Sequence, residues 1–113
     1  MRKAKGEAAA VLKKGQQDIL LDYNELRKAV LVLRAVNHKL RQRMIDLLEE
    51  NQRMTVTDLY VKLRLEQSVA SQHLAILRKA GIVSTEREGK FIYYMVNYKR
   101  LDEISLFVKN LVG

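Results

Sequence analysis

The residues of this sequence that most clearly indicate a chemical role are polar side chains spaced along one face of a predicted helix. Ser68, Ser71 and Gln72 recur at intervals that place them on one face of a helix, with the small Ala75 beside them. Serine hydroxyls and a glutamine amide can approach phosphates and base edges, and glutamine can form a bidentate pair with adenine. The opposite face of the predicted helix comprises Ala70, His73, Leu74, Leu77 and Ala80. This combination favours a helix that is held rigidly from behind while its polar face enters a DNA major groove.

The charge of the chain favours the same kind of partner. The 113 residues include 21 Lys and Arg against 13 Asp and Glu, which gives a formal net charge of +8. A basic surface on a chain of one-domain length attracts a polyanion, with nucleic acid the first candidate and an anionic membrane surface the second. The basic residues near the N-terminus have no aromatic anchors among them, so membrane binding is the weaker candidate.

Three further helices are predicted ahead of the polar one. The first begins at Asp22 or Asn24, and the third begins at Thr55 or Thr57, because these side chains can accept hydrogen bonds from free backbone N–H groups. Gly81 ends the fourth helix, since glycine adopts the left-handed conformation at low cost. The apolar positions of the first three helices are Leu26, Ala29, Val30, Leu33 and Val36, then Leu40, Met44, Leu47 and Leu48, then Leu59, Tyr60 and Leu63.

After Gly81 the hydrophobic period changes from that of a helix to that of a strand. Residues 82–85 and 90–96 predict two strands, joined by a turn at 86–89. A last helix follows, with apolar positions between Leu101 and Leu111 on more than one side. The predicted fold is mainly α with a β-hairpin wing (α+β), a winged helix-turn-helix of order α-α-α-α-β-β-α.

Residues 1–20 form the segment with the weakest pattern. Their basic residues and two glycines indicate a flexible basic arm, with a helix around 7–14 as a further expectation. The arm is either a solvated tail or a segment that touches DNA phosphates or extends a dimer contact. The folded DNA-binding and dimerisation domain is predicted over 21–113. The longest apolar run near the N-terminus, 8–12, is too short for a signal peptide, so we expect a cytoplasmic protein.

The segment 65–83, LEQSVASQHLAILRKAGIV, resembles the recognition-helix signature of the ArsR/SmtB family of bacterial transcriptional repressors. The segment 87–90, REGK, followed by Tyr93 and Tyr94, is similar to the wing of that family. The resemblance covers about 22–111. Its most specific part is the pattern Ser-x-His-Leu-x-x-Leu-x-x-Ala-Gly-x-Val over 71–83.

The resemblance implies a homodimer that reads an imperfect palindrome in double-stranded DNA through two recognition helices. The first and last helices would pack across the two-fold axis, which agrees with their excess of apolar surface. Matching positions imply DNA contacts at Gln67, Ser68, Ser71, Gln72, Arg87 and Lys90. The dimer contact would comprise Leu26, Val30, Leu33, Leu101, Ile104, Phe107 and Val108.

The sequence departs from the metal-sensing pattern of the resembled family. Many members bind metals through cysteines at the start of the third helix, but the chain contains no cysteine, which also excludes dithiol redox sensing. Other members bind zinc with Asp and His of the last helix, whereas 97–109 holds Asp102 and Glu103 but no histidine. Zinc needs nitrogen or sulfur donors at fixed positions. We therefore expect no metal site and no cofactor, and the effector stays open.

Several residues are expected to have structural rather than functional roles. His73 is expected at the edge of the core, and His38 either caps a helix or lies in solvent. Tyr93 and Tyr94 are expected to pack within the hairpin, since strand alternation buries one ring. The arginines of the second helix, Arg41 among them, are expected on a solvated face rather than as a phosphate clamp.

Two other classes of function compete with DNA-binding regulation. The first is a winged-helix module that binds protein, for which exposed aromatic or leucine side chains are expected beside the wing and the fourth helix. The second is an enzyme, but the sequence shows no nucleophile–base pair, no phosphate-binding glycine loop and no cluster of metal ligands. The expected function is therefore that of a sequence-specific, dimeric DNA-binding transcriptional repressor and not of an enzyme.

Overall fold

The computed structural model describes residues 9–15 and 17–113. The chain divides into two compact units, with the boundary between Val32 and Leu33. The first unit holds an N-terminal hairpin and most of the first helix, and the second unit holds the remaining elements. In the described residues the elements are β1 (Ala9–Lys14), β2 (Gln17–Asp22), α1 (Tyr23–Val36), α2 (Lys39–Asn51), α3 (Val56–Leu63), α4 (Gln67–Lys79), β3 (Val83–Glu88), β4 (Phe91–Val96) and α5 (Tyr98–Val112).

The first unit begins with a two-stranded antiparallel hairpin instead of the expected helix. Lys14 of β1 lies opposite Gln17 of β2, and Gly15 in the turn has a φ of 61°. Glycine adopts this left-handed conformation without a Cβ penalty, so the turn lets the apolar β2 fold back onto β1. The helix expected around 7–14 is therefore wrong over Ala9–Lys14, while residues 7 and 8 lie outside the described part of the chain. The flexibility of residues 1–20 and the domain start at residue 21 stay predictions.

Helices α1 and α2 begin at side-chain caps. The Asp22 carboxylate accepts hydrogen bonds from the backbone N–H groups of Asn24 at 2.9 Å and Glu25 at 3.2 Å, so Asp22 caps α1. At the start of α2, His38 Nδ1 accepts from the Leu40 N–H group at 3.1 Å. The cap is thus Asp22 rather than Asn24, and the capping role predicted for His38 is confirmed.

The core of the second unit joins the apolar faces of α2, α3 and α4 to the β3–β4 hairpin, which we call the wing. The stripes predicted from the sequence supply this core, because each helix turns its period-3.6 apolar positions towards the others. Leu101 and Ile104 of α5 pack against it while remaining half-buried. The largest fully buried side chains are Met44, Leu48, Leu59, Leu74, Leu77 and Ile82.

Helices α3 and α4 form a helix-turn-helix. Thr55 begins α3 through a reciprocal capping box: Asp58 N–H donates to Thr55 Oγ1 at 3.1 Å, and Thr55 N–H donates to Asp58 Oδ2 at 3.2 Å. Arg64 ends α3 in the left-handed region with a φ of 57°, and the next N–H, that of Leu65, donates to Tyr60 O at 2.9 Å. These bonds fix the angle at which α4 leaves the turn.

Gly81 ends α4 with the same hydrogen-bond pattern. Its φ is 76°, and the N–H of Ile82 donates to Leu77 O at 2.9 Å. The Asn97 side-chain amide donates to the Gly81 carbonyl at 2.9 Å, and its Oδ1 accepts from the Arg100 N–H at 3.3 Å. Asn97 therefore caps α5 and ties its start to the end of α4.

The wing is a regular antiparallel hairpin whose first strand is longer than the sequence indicated. Val83 lies opposite Val96 and Glu88 opposite Phe91, so the turn consists of the two residues between Glu88 and Phe91. Gly89 has a φ of 63°, which suits such a two-residue turn. The turn predicted at 86–89 is therefore wrong in its position, because residues 86–88 pair with the aromatic strand β4 instead of looping out.

Helix α5 has no buried residue. Its second half leaves a row of apolar side chains exposed: Leu106, Phe107, Val108, Leu111 and Val112. No helix among the described residues is long and apolar enough to cross a membrane.

Candidate nucleic-acid interface

The four α4 residues predicted to contact DNA lie together on its exposed face. Gln67, Ser68, Ser71 and Gln72 are all exposed, and they span about 140° of the helix circumference. Ala75 lies within the same arc and is also exposed. We call these five residues the outer face of α4. They form an exposed surface of polar side chains around the small Ala75.

The inner face of α4 explains why the outer face is held in place. Ala70, Leu74 and Leu77 are each 0% exposed and belong to the central core. A fully packed apolar face leaves the helix little freedom to rotate or shift, since core side chains occupy defined rotamers. The positions predicted to face inward and outward on α4 are therefore found on those sides.

A small cluster, comprising His38, Arg41 and His73, fixes the end of α1 against α4. Arg41 donates to the carbonyls of Ala35 at 2.7 Å and Arg34 at 3.1 Å, which lie in the last turn of α1. Its third contact is with His73 Nδ1 at 3.1 Å. A guanidinium can only donate, so His73 is the neutral tautomer with its proton on Nε2. The expectation that Arg41 lies on a solvated face is wrong, because these acceptors bury it to 9% exposure.

His73 lies at the core edge, as predicted. Its ring is half-buried, and its centroid is 4.9 Å from that of His38. Burial, followed by the charge of Arg41 and that of His38, holds the pKa of His73 below its ordinary value. Both Nδ1 atoms already accept a hydrogen bond, that of His38 from the Leu40 N–H and that of His73 from Arg41, so neither lone pair is available to a metal ion.

The wing carries the two basic residues predicted from the sequence. Arg87 is exposed on β3, and its guanidinium makes one long hydrogen bond of 3.4 Å to the Gly89 carbonyl. Lys90 occupies the turn itself, with its ammonium 5.5 Å from the centre of the Phe91 ring. Both cations therefore lie near the tip of the wing, where an adjacent polyanion can reach them.

A third cation, which contacts the wing from a neighbouring loop, was missed by sequence reasoning. Arg53, in the loop between α2 and α3, pairs with Glu88 of the wing at 2.7 Å and lies 4.1 Å from the centre of the Tyr93 ring. The hydrogen bond from Arg53 lowers the pKa of the Glu88 carboxyl, and the same bond raises the pKa of Arg53. The two partners are 35 positions apart in the chain, so no local pattern could have indicated the pair.

The last helix contains the carboxylates considered above as metal ligands. Asp102 and Glu103 are both exposed, and Glu103 lies 3.5 Å from the Arg100 guanidinium. In the part of the chain that the structure describes, no group of three or more His, Cys, Asp or Glu side chains is placed to hold a metal ion.

Comparison with known proteins identifies the family. The sequence model described as "Bacterial regulatory protein, arsR family" matches residues 38–85, which run from the cap of α2 into the wing. The transcriptional repressor SdpR of Bacillus subtilis is 31% identical over 82 residues, which cover 73% of this chain and 90% of that protein. The chain belongs to the ArsR family of bacterial regulatory proteins. The family resemblance of the α4 and wing motifs is thereby confirmed.

Other relatives of this ArsR-family chain include an activator as well as repressors. The transcriptional activator HlyU of Vibrio cholerae is 37% identical over 70 residues, which cover 62% of this chain and 64% of HlyU. The crystal structure of the transcriptional repressor PagR of Bacillus anthracis is 30% identical in sequence and superposes with a TM-score of 0.61, over 76% of this chain and 99% of PagR. The predicted fold class, mainly α with a β wing, is confirmed.

Proposed function

We propose that this ArsR-family protein is a sequence-specific, dimeric DNA-binding repressor that acts in the cytoplasm. The observation that carries the proposal is the division of α4 into an exposed, mostly polar outer face and an inner face whose Ala70, Leu74 and Leu77 are completely buried. Such a helix presents Gln67, Ser68, Ser71 and Gln72 to base edges and phosphates without losing its own packing. The names of SdpR and PagR favour repression over activation.

The wing supplies sequence-independent affinity in this proposal. Arg87 and Lys90 are exposed near its tip, and cations at such a place bind phosphates or enter the flanking minor groove. Phosphate contacts release counterions, so the affinity falls steeply as salt is added.

The dimer forms through α1 and α5 in this proposal. Most monomeric proteins bury apolar rows such as that of α5, and a second copy covers it with the same surface, as two-fold symmetry requires. On α5 the contact residues are Leu101, Ile104, Phe107 and Val108. On α1 they are Leu26, Val30 and Leu33, of which Leu26 is exposed and the other two are half-buried.

Selection of bound duplexes from a random library with the purified protein tests the proposal. A palindromic consensus supports both dimeric binding and direct reading of the sequence. Retention of the library at low salt without any consensus would mean that binding is electrostatic only.

Variants of α4 and of the wing distinguish contacts that recognise bases from contacts that only bind the DNA backbone. Gln72→Ala should relax the preference at one base pair and reduce discrimination there by about 1 to 3 kcal/mol. Arg87→Ala with Lys90→Ala should weaken binding to all sequences and lower the salt slope by roughly one for each lost phosphate contact. Lys99→Ala with Lys109→Ala, on α5, removes the same charge and is the matched control. Equal salt slopes for the two double variants would contradict the assignment of the wing.

A winged-helix module that binds protein is the second candidate. One observation favours it: Phe91 and Ile92 of the wing are 50% and 43% exposed, and exposed apolar side chains are frequent in protein interfaces. The same library decides between the two candidates, since a protein-binding module would show no retention of random duplexes even at low salt.

A further inference from the structure

The loop between α2 and α3 contains a strained residue immediately before Arg53. Gln52 has a φ of 71° and a ψ of −53°, and the Arg53 N–H donates to Asn51 O at 2.8 Å, which closes a tight three-residue turn. A non-glycine residue adopts such a conformation only where its surroundings hold it there. The turn therefore fixes the direction in which the chain continues from the end of α2 to Arg53.

The residue after Arg53 is bonded to the wing. Met54 N–H donates to Tyr94 O at 3.1 Å, and Tyr94 N–H donates to Met54 O at 2.7 Å. The Met54 side chain is 5% exposed and belongs to the core. Arg53 is thus held on one side by the turn and on the other side by a two-bond bridge to β4.

From this position the Arg53 guanidinium contacts both strands of the wing. It pairs with Glu88 of β3 at 2.7 Å and lies over the Tyr93 ring of β4 at 4.1 Å. The alternation of the hairpin places Glu88 on one face with Glu86, whereas Arg87 is on the opposite face. Arg53 therefore holds the wing from the face that Arg87 does not use.

We propose that Arg53 is a positioning residue for DNA binding, which holds the tip of the wing in place through Glu88 and Tyr93. The proposal deepens, and rests on, the DNA-binding function proposed above. Glu88 directly precedes the Gly89–Lys90 turn, where a free carboxylate would repel phosphates. Its pairing with Arg53 removes that repulsion and also limits the motion of the strand ends that carry Arg87 and Lys90.

Neutralising Glu88 tests this proposal, because the two possible roles of Glu88 change the DNA affinity in opposite directions. If Glu88 is only a repulsive charge, Glu88→Gln should tighten DNA binding. If Glu88 anchors the wing through Arg53, the same change should weaken binding by about threefold, which lies within the range typical of an exposed ion pair. The measurement is the dissociation constant for a duplex recovered from the library, at two salt concentrations.

Glu86→Gln is the matched control. Glu86 is exposed on the same strand and the same face of the wing, and its carboxylate makes no ion pair among the described residues. Loss of this charge should tighten binding slightly, by about twofold or less. Opposite signs for the two variants support the proposal, and equal tightening by both would overturn it.

A readout in the protein without DNA separates this proposal from the function on which it rests. Arg53→Met keeps the length of the stem but removes the guanidinium, and it should increase the backbone motion of 87–91 in nitrogen-15 relaxation, as should Glu88→Gln. The exchanged pair, Arg53→Glu with Glu88→Arg, should restore part of the order. Unchanged relaxation in both single variants would overturn the proposal. Increased motion in a protein that binds no duplex would instead contradict the DNA-binding function alone.

Discussion

Helices α4 and α5 are both amphipathic and similar in length, yet the fold treats them in opposite ways. The 13-residue α4 buries Ala70, Leu74 and Leu77 completely. The 15-residue α5 has no buried residue and leaves its apolar second half exposed. The difference teaches that the period of apolar residues identifies a face that needs a partner, but it does not say whether the partner is the same chain or another one.

The two helices also divide the proposed function between them. The stripe of α4 is covered within the chain, so its other face is free for DNA. The second half of the α5 stripe is not covered within the second unit, and leaving large apolar side chains in water costs roughly 25 cal/mol for each Å². In the proposed dimer, a second copy that covers α5 would remove this cost and would set the distance between the two α4 helices.

The largest expected effect is a change on the covered stripe. Leu74→Ala removes a fully buried side chain of α4 and should lower the free energy of unfolding by about 3 kcal/mol, because it leaves a cavity in a packed core. Chemical denaturation measures this change. Leu111→Ala is the same substitution at a residue of α5 that is 71% exposed. It should lower the free energy of unfolding by less than about 1 kcal/mol, measured at protein concentrations too low for a dimer to form. Equal losses would contradict the contrast between the helices.

A change on the uncovered stripe should act on assembly instead. Phe107 is 46% exposed on α5, and Phe107→Ser should raise the dimer dissociation constant at least about tenfold, as expected for an aromatic residue in an interface. Sedimentation equilibrium measures the constant. Val61→Ser, on α3, alters an apolar side chain that is 64% exposed and is the control. If Phe107→Ser left the dimer intact, the α5 contact would need to be placed elsewhere.

The smallest effect concerns the edge of the covered stripe, where His73 accepts a hydrogen bond from Arg41. Its pKa is lowered in the folded state, so the unfolded chain binds more protons than the folded one below about pH 6.5. The contribution of His73 should therefore lower the free energy of unfolding as the pH falls through 6.5 towards the lower pKa of His73 in the folded protein. In His73→Gln, whose amide oxygen still accepts from Arg41, the free energy of unfolding should fall less between about pH 7 and pH 5.

Denaturation of both proteins at a series of pH values measures this difference. A loss of stability on acidification that is the same in the original protein and in His73→Gln would contradict the role of His73.

The features that the sequence predicted correctly are local. The apolar stripes of α2–α4, the left-handed Gly81, the cap at His38 and the polar outer face of α4 all follow from the spacing of neighbouring residues. Two of the errors have local causes too. The turn at Gly15 was not recognised as the centre of a hairpin, and the pairing of the aromatic strand β4 extends into the predicted turn at 86–89.

By itself, the sequence determined that this chain forms a winged helix-turn-helix with a basic charge and an α4 suited to a DNA groove, because helical and strand periods depend on residues only a few positions apart. Only the tertiary structure decided the roles of Arg41 and Arg53. One is buried against carbonyls of α1 and against His73, and the other is anchored to Glu88 and Tyr93 of the wing. The physical reason is that a long cationic side chain binds whatever acceptor the fold brings within its reach, and His73 and Glu88 lie 32 and 35 positions away from Arg41 and Arg53 in the chain.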